Sequence, residues 1–479
     1  MNLKLVLRIT GSTLLIEGAV LVLPLLVTLL YREDPLPFIY TIGILLLIGL
    51  PLRLFLKSKP DFYAREGFFT VALIWVLFGV FGALPFWFSG YFGSYINCLF
   101  ECISGFTTTG SSILTAVEGI PYGLLFWRSF THWLGGMGVL VFTAALLPSL
   151  GISSNHLIRA ESPGPVKSKL VPRASQSSKI LYTIYLVLTI IQAIILRIAG
   201  MPWFDAVVHA FGTAGTGGFG IKNNSVAFYQ SPAIEIIITI FLILFSINFT
   251  VYFLILTGKI KQALASDELR FFLGVVAVST LLITVNIAPD FAHLGDAIRT
   301  AAFQVASIIS TAGFSTADFN LWPEFSRMLL VILMFIGACA GSTGGGMKCS
   351  RILILFRSAI REVRSIIHPR SVSIVRLDGE SLPERTIQTT QSFFFIYFFI
   401  LFLAALVVGL DNFSFGTTLT AVITCVSNVG PGLEAVGPMG NFSEFSDLSK
   451  LVLTFCMILG RLEMFPILVL FSRNAWKRS

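Results

Sequence analysis

The sequence predicts an all-α polytopic membrane protein, with two N-terminal transmembrane helices followed by four similar repeats in a pseudo-fourfold arrangement around one axis. Hydrophobic residues make up 55% of the 479 residues and charged residues only 12%. A soluble domain of this size could not bury so much apolar surface. Apolar runs of roughly 20 residues, the length that crosses a bilayer, recur along the whole chain. Four short segments between such runs resemble one another.

Ten apolar runs are long enough to be predicted as membrane crossings. The first begins near the N-terminus and is too long for a secretory signal, so we expect it to be a retained helix. The runs are residues 5–30, 37–56, 67–89, 124–149, 180–199, 232–257, 271–289, 326–347, 391–410 and 449–472. They group into an N-terminal pair, three repeats, and a fourth repeat with the C-terminal tail, at residues 1–60, 61–150, 178–258, 270–358 and 388–479.

Basic residues predict the orientation of these crossings. With the N-terminus inside, the inner segments contain 25 of the 33 Lys and Arg residues, so we expect both termini in the cytoplasm. The net charge of +8 follows from this topology and requires no nucleic-acid partner. The basic inner linkers, 150–178 and 348–388, are either docking surfaces or plain connections. The six cysteines show no metal-type spacing and are predicted to be free, buried thiols.

Four segments align without gaps and define the repeat. They cover residues 101–110, 209–218, 304–313 and 421–430, and each ends in a glycine after small residues that are mostly Thr, Ser or Asn. Such a loop can turn backbone carbonyls toward an ion, because glycine adopts the required dihedrals at low cost. A single copy could equally be a packing turn between helices. Four copies at one spacing favour helix–pore-loop–helix repeats around one pore.

The predicted ion-binding filter takes three residues from each repeat. These are Thr108, Thr109, Gly110, Thr216, Gly217, Gly218, Thr311, Ala312, Gly313, Asn428, Val429 and Gly430. Because the filter residues include no carboxylate, carbonyl dipoles and the C-terminal ends of the preceding short helices must replace the water of a bound ion. This favours a large, weakly hydrated monovalent cation over a divalent one, which would demand carboxylates.

One polar position recurs within the short helices before the filter. Glu101, His209 and Gln304 occupy it in the first three repeats, and Ala421 in the fourth. These side chains could support the filter through hydrogen bonds. Alternatively, each is a polar group satisfied by neighbouring backbone. The sequence leaves both interpretations open.

A glycine-rich stretch interrupts the second helix of the third repeat. Residues 337–346 contain five glycines, and each costs a helix about 1 kcal/mol relative to alanine. An unwound segment at membrane depth needs water or protein around it, so we expect it below the filter, as a gate or as a plain hinge. The predicted gating loop comprises Gly341, Ser342, Thr343, Gly344, Gly345, Gly346 and Lys348. A phosphate-binding loop is excluded, because Met347 and Cys349 flank the lysine.

Charged and titratable groups within apolar runs are further candidates. Arg461 stands near the middle of the last run, where a cation faces a cavity or a partner. It could be a positive barrier beneath the filter, or half of a structural ion pair. Glu463 lies two residues on, hence on another face of the helix. Arg128 and His132 suggest a proton relay, although a histidine beside a tryptophan is more often a packed interfacial group.

Taken together, these motifs resemble the Trk/Ktr/HKT superfamily of potassium transporters, and in particular its bacterial TrkH branch. The similarity runs over nearly the whole chain and rests on residues 107–111, 132–138, 216–219, 311–314, 341–346, 428–432 and 460–463. It implies K+ as the transported ion with no organic cofactor, a location in the cell inner (plasma) membrane, and a homodimer with one pore per protomer. It also implies a cytoplasmic ring of nucleotide-binding TrkA-type regulatory subunits against the basic inner loops.

The resemblance also implies roles for individual residues. Gly110, Gly218, Gly313 and Gly430 match the filter glycines, residues 341–346 match the gating loop, and Arg461 matches the pore arginine. The Asn428–Val429 pair replaces a Thr-rich stretch, which predicts a chemically weaker fourth wall.

Two functions from different classes compete. The leading one is a potassium-selective uptake pore, gated by the Gly-rich loop and the cytoplasmic subunits. The alternative is a symporter of K+ with H+ or Na+, which would need paired ionisable residues near the midplane and usually inverted repeats. The repeats here are predicted to be parallel. The sequence has no nucleophile–base or metal-ligand cluster in its helices, so we do not expect an enzyme.

Overall fold

The computed structural model describes residues 3–56, 64–138, 174–370 and 373–471, and helices dominate it. The described helices are α1 (Leu3–Val20), α2 (Val22–Leu30), α3 (Leu36–Phe55), α4 (Ala64–Gly82), α5 (Leu84–Ser89), α6 (Tyr95–Phe106), α7 (Tyr122–Gly136), α8 (Ala174–Ile198), α9 (Trp203–Ala214), α10 (Pro232–Ser246), α11 (Phe249–Leu256), α12 (Ile260–Leu264), α13 (Asp267–Ile287), α14 (Leu294–Ile309), α15 (Glu324–Ile336), α16 (Cys349–Ile367), α17 (Glu384–Val408), α18 (Phe415–Ser427), α19 (Asp447–Arg461) and α20 (Phe465–Phe471). A short antiparallel hairpin pairs β1 (Arg376–Leu377) with β2 (Glu380–Ser381).

Six stretches of helix are long and apolar enough to cross a membrane, and they coincide with six of the ten predicted runs. They are Leu3–Leu30, Leu36–Phe55, Gly67–Ser89, Lys179–Ile198, Asp267–Asp290 and Glu384–Asp411. Leucine and phenylalanine side chains project outward from them: Leu47 is 76% exposed and Phe395 71%. Apolar side chains facing outward are what a lipid environment requires. The chain is therefore a multi-pass membrane protein.

In repeats 2, 3 and 4, the second apolar run does not form one continuous helix. The run 232–257 is bent by 90° between α10 and α11. The run 326–347 is helical only to Ile336, and the run 449–472 is interrupted between α19 and α20. The prediction of unbroken helices was wrong for the runs 232–257 and 449–472, whereas the third repeat's second helix is interrupted where the glycine-rich stretch predicts. In the first repeat α7 ends at Gly136, and the rest of the run 124–149 lies outside the described residues, as does most of the linker 150–178.

Polar and glycine residues account for these breaks. Asn248 separates α10 from α11 and caps the new helix, accepting a hydrogen bond from the Thr250 amide at 2.9 Å. Gly337 ends α15 with φ 69°, a conformation that other residues adopt only with strain. After α19, Glu463 and Met464 both have positive φ. Hydropathy alone could not reveal the turn at Asn248, because the surrounding residues remain apolar.

The N-terminal helices pack closely against each other. A Cβ atom at Gly11 of α1 would lie 2.6 Å from the Leu52 Cβ of α3 and 3.0 Å from the Gly49 carbonyl oxygen. Only glycine permits this approach, as in other closely packed membrane helices. All six cysteines are buried and free, as the sequence predicts.

Candidate ion-binding site

The helices α6, α9, α14 and α18 end in the same backbone conformation. The first or second residue after each helix is left-handed: Thr108, Thr216, Thr311 and Asn428 have φ between 53° and 62°. The next amide donates to the carbonyl five residues earlier, in the pairs Thr109–Ser104, Gly217–Gly212, Ala312–Ser307 and Val429–Thr424, at 2.8 to 2.9 Å. This is the Schellman pattern of helix ends. All four chains therefore leave their helices in the same geometry.

The four following glycines form a closed ring with the neighbouring repeats. All have positive φ, from 73° to 103°. A Cβ at Gly313 would lie 2.5 Å from the Val429 carbonyl oxygen, and a Cβ at Gly430 would lie 2.8 Å from that of Thr109. Gly110 meets the Gly217 carbonyl, and Gly218 meets that of Ala312, in the same way. The contacts run from repeat 1 to 2, 2 to 3, 3 to 4 and 4 to 1. We call this arrangement the glycine ring.

The glycine ring brings together all twelve residues of the predicted filter, and it offers only uncharged oxygen atoms. The side chains of Thr108, Thr109, Thr216 and Thr311 are fully buried. The C-terminal ends of the four short helices run into the ring, and each such end carries partial negative charge. Chemically, the site suits a cation that can exchange its water for peptide and hydroxyl oxygens.

The Gly-rich loop, residues 337–348, lies against the ring where the short helices end, which we call the inner end. The Gly345 amide donates to the Thr311 hydroxyl at 2.6 Å, and the Gly346 amide donates to the Ser427 carbonyl at 2.8 Å. The Lys348 ammonium donates back to the Gly344 carbonyl within the loop. The loop therefore contacts the ring at repeats 3 and 4.

Arg461 occupies the same inner end. Its guanidinium donates to the Thr108 hydroxyl at 3.2 Å and to the Thr343 carbonyl of the Gly-rich loop at 2.9 Å. It also donates to the Gly135 and Gly136 carbonyls at the end of α7. Arg461 thus connects the first wall of the ring, the C-terminal end of α7 and the Gly-rich loop.

The residues around Arg461 carry further charge. Glu463 forms an ion pair with Arg351 of α16, whose guanidinium lies 4.0 Å from the centre of the Phe393 ring. The charged groups beneath the ring therefore connect α19 with α16, the helix that follows the loop.

Comparison with known proteins identifies the family. Residues 38–478 match the family described as TrkH, cation transport protein. The chain belongs to the TrkH family. It is 39% identical to the Trk system potassium uptake protein TrkH of Salmonella typhimurium, over 100% of both chains. It is 32% identical to the Trk system potassium uptake protein TrkG of Escherichia coli, over 99% of both.

A solved structure agrees with the fold. The crystal structure of the potassium transporter TrkH from Vibrio parahaemolyticus superposes with a TM-score of 0.90, at 34% identity and over 100% of both chains. This match confirms the predicted fold class, and the family match confirms the resemblance drawn from the motifs.

In this TrkH-family chain a buried ion pair supports the ring behind repeats 1 and 2. Glu101 accepts from the Arg128 guanidinium at 2.6 Å, and their side chains are 0% and 3% exposed. Glu101 also accepts from the Ile113 amide at 2.9 Å, just beyond Gly110. Arg128 donates to the Gly220 carbonyl at 2.8 Å and lies 3.6 Å above the Phe219 ring. One ion pair therefore holds the chain leaving both Gly110 and Gly218.

The other residues at the recurring polar position behave differently from one another. With its amide oxygen facing the backbone, Gln304 accepts from the Thr316 and Ala317 amides at 2.9 and 3.2 Å, and so supports the segment that follows Gly313. His209 instead contacts the Asp205 carbonyl of its own helix at 2.8 Å. Support of the ring thus describes Glu101 and Gln304, whereas the Nδ1 of His209 bonds the backbone of its own helix.

His132 spans the first two repeats. Its Nδ1 lies 2.8 Å from the Gly105 carbonyl, and its Nε2 accepts from the Phe219 amide at 3.2 Å. This pairing assigns the proton to Nδ1 and a neutral imidazole. Both nitrogens are engaged with backbone, so the geometry favours a positioning role over the proton relay.

Hydrogen bonds between repeats also surround the ring on the side where the chain continues beyond the four glycines, which we call the outer side. Asn320 bridges repeats 3 and 4 twice, because its side chain accepts from the Glu434 amide and donates to the Glu434 carbonyl. The other junctions use the pairs Val117–Asn223, Ser315–Ser225 and Ser111–Gly430, at 2.8, 3.3 and 3.0 Å. Each junction between neighbouring repeats therefore has a hydrogen bond in addition to its glycine contact.

Asn428 gives the fourth wall the same backbone path as the others. Asparagine tolerates the left-handed conformation better than the β-branched threonines at the equivalent positions. Its side-chain amide donates to the Thr109 hydroxyl and to the Met457 carbonyl, both at 2.9 Å. The fourth wall thus differs in side chain while it retains the shared turn.

Some chemistry is absent from the described part of the chain. Across residues 3–56, 64–138, 174–370 and 373–471, no three His, Cys, Asp or Glu side chains come close enough to hold a metal ion.

Sequence reasoning missed one residue at the site, Glu268, a buried carboxylate bonded to the Gly-rich loop. An acidic residue at the start of an apolar run was the available signal.

Proposed function

We propose that this chain is the potassium-translocating subunit of a Trk-type uptake system, with the glycine ring as its selectivity filter. The observation that carries the proposal is the cyclic contact of four equivalent turns, each of which places a glycine against the next repeat's carbonyl. Potassium is the proposed ion because the relatives are named potassium uptake proteins.

The filter works by replacing water with neutral oxygens. Carbonyl and threonine hydroxyl oxygens compensate the dehydration of a large monovalent cation, and the helix ends add a favourable potential. A small or divalent cation holds its water more tightly and lacks a carboxylate here, so it is disfavoured. Discrimination between these cations then depends on the ring keeping its geometry.

The Gly-rich loop is the proposed gate. Its amides bind Thr311 and Ser427 at the inner end of the ring, in the path of an ion leaving the filter. Conduction requires these bonds to break and the loop to move aside. Arg461, beside the loop, adds a positive barrier that limits the number of cations below the filter.

The proposed assembly is a homodimer in the cell inner membrane, with both termini cytoplasmic and the filter toward the outer face. Cytoplasmic nucleotide-binding subunits of the TrkA type would bind the basic inner segments and control the loop. The concentration of Lys and Arg in those segments supports this orientation.

Reversal potentials of the full chain in lipid vesicles test the proposal. A uniport pore gives a potential that follows the K+ gradient alone. A potential that also moves with the H+ gradient would favour the competing symporter.

Gly110→Ser tests the filter in the same assay. A side chain at φ 83° is strained and would meet the Gly217 carbonyl, so we expect the K+ over Na+ preference to fall about tenfold. Gly43→Ala is the control, since a Cβ there meets nothing within 4 Å. An unchanged ion preference in Gly110→Ser would contradict the filter assignment.

A further inference from the structure

A buried carboxylate bonds the backbone on both sides of the proposed gate, residues 341–348. Glu268 lies in the first turn of α13 and is 6% exposed. Its Oε1 accepts from the Ala340 amide at 2.7 Å and from the Ser350 amide at 2.9 Å. Ala340 precedes the first glycine of the proposed gate, and Ser350 follows its lysine by two residues. One carboxylate oxygen therefore accepts hydrogen bonds from the backbone before and after the proposed gate.

Helix α16 needs this carboxylate because its own N-cap residue cannot serve. Lys348 occupies the N-cap position with φ 75° and makes no capping bond with its side chain. Its ammonium is turned to the Gly344 carbonyl instead. The first amides of a helix lack intrahelical partners and are costly to bury unpaired. A carboxylate from another helix satisfies one of them and interacts favourably with the positive end of the helix.

The residue beside Glu268 makes contacts of the same kind with α16 and with the hairpin. Asp267 accepts from the Arg357 guanidinium of α16 at 2.8 Å and from the Asp378 amide at 3.0 Å. Asp378 lies in the turn between β1 and β2. The first turn of α13 is thus bonded to the loop by one residue and to the hairpin by the next.

We propose that Glu268 is a positioning residue that holds the Gly-rich loop in the conformation that contacts the glycine ring. The proposal rests on the gating role assigned above. Without the carboxylate, two buried amides lose their acceptor, while the bonds from the loop to the ring remain. The contacting conformation then loses population relative to conformations in which water reaches these amides.

The experiment measures K+ flux through the full chain in vesicles without added regulatory subunits. Glu268→Ala removes the acceptor, and Glu268→Asp shortens its reach, so both should raise basal flux, by about tenfold for the alanine variant. Glu268→Gln keeps an acceptor oxygen and should give a smaller rise. The K+ over Na+ preference should be unchanged in all three, because the ring is untouched.

Glu324→Ala is the matched control. Glu324 is a carboxylate that is paired with Arg327 and 84% exposed. It lies in the first turn of α15, at the opposite end of that helix from the loop, and its loss should not alter basal flux. Hydrogen exchange gives a second measurement that does not depend on flux. Amides of residues 338–350 should lose protection in Glu268→Ala or Glu268→Asp and keep it in the control.

The outcomes separate this inference from the proposed function. A folded Glu268→Ala or Glu268→Asp protein with wild-type flux and wild-type exchange would overturn the role of Glu268. If Gly345→Ala then still alters flux, the gate stands without the fastening. If neither substitution alters flux, the gating role itself fails. Should the alanine variant not fold, the aspartate variant and the exchange measurement decide.

Discussion

The junction between repeats 1 and 2 and the junction between repeats 3 and 4 are built from different contacts. Behind the first, Arg128 and His132 of α7 reach across to the Gly220 carbonyl and the Phe219 amide. At the inner end of the second, Gly345 and other loop residues donate backbone amides to the ring. Breaking a buried ion pair is costly, whereas a neutral hydrogen bond contributes only about 0.5–1.5 kcal/mol net. The first junction is suited to rigidity and the second to motion.

Arg128→Leu should have the largest effect on this comparison. It leaves the Glu101 carboxylate buried without its partner, which costs about 3–5 kcal/mol. We expect a large fall in the thermal unfolding temperature of the detergent-solubilised protein. Arg327→Gln, which removes a surface ion pair with Glu324, should shift it little. A small effect of Arg128→Leu would show that the first junction is not held by charge.

Gly345→Ala tests the second junction. A Cβ there would lie 3.0 Å from the Asn428 Cβ and 3.3 Å from the Thr311 hydroxyl, so the loop must shift away from the ring. Basal K+ flux should rise several-fold while the unfolding temperature changes little. If instead stability falls and flux is unchanged, the loop is a structural hinge.

His132 offers a smaller and more specific test of the first junction. His132→Leu leaves the Gly105 carbonyl and the Phe219 amide unpaired, a loss of about 1–3 kcal/mol. We expect a reduced K+ over Na+ preference, read from reversal potentials. His132→Gln can donate and accept, and should retain more of the preference. Equal losses in the two variants would indicate that ring packing, and not hydrogen bonding, is the contribution of His132.

A pH effect at the outer side of the second junction should be the smallest. Hydrogen bonds from Ser414 and Thr417 hold the pKa of Glu434 below its ordinary value. A lowered pKa in the folded protein means that this stabilisation is present above the ordinary value and is lost as the pH falls through the lowered one. Unfolding temperatures of wild type and Glu434→Gln should therefore differ at neutral pH and converge in acid. Glu444→Gln, which removes another exposed carboxylate, is the control for the loss of one negative charge.

The sequence predicted the ring because its cause is local. A glycine that recurs at the same position of each repeat, preceded by small residues, indicates the turn regardless of the surrounding sequence. The left-handed threonines at 108, 216 and 311 were not foreseeable in this way, since β-branched residues disfavour that conformation. Their φ values follow from the shared helix ending and from contacts with neighbouring repeats.

The contacts that support the ring and the Gly-rich loop could not be predicted from the sequence, for a different reason. Arg128 and its acceptor at Gly220 are 92 residues apart, and Glu268 and Ser350 are 82 apart. Periodicity and spacing report on neighbours within one element, so they cannot pair groups from separate repeats. The break between α10 and α11 was hidden too, because Asn248 is a single asparagine within apolar sequence. The break after α15 was foreseen, because Gly337 begins a stretch of five glycines in ten residues.

The cyclic contact of the four turns within one polypeptide has a consequence for how its ion preference can be adjusted. In a tetramer of identical subunits, a single substitution alters every wall at once. Here it alters one quarter of the proposed coordination shell and leaves three quarters native. Variants of single glycines should therefore form a graded series, and combining them should show whether each wall contributes independently.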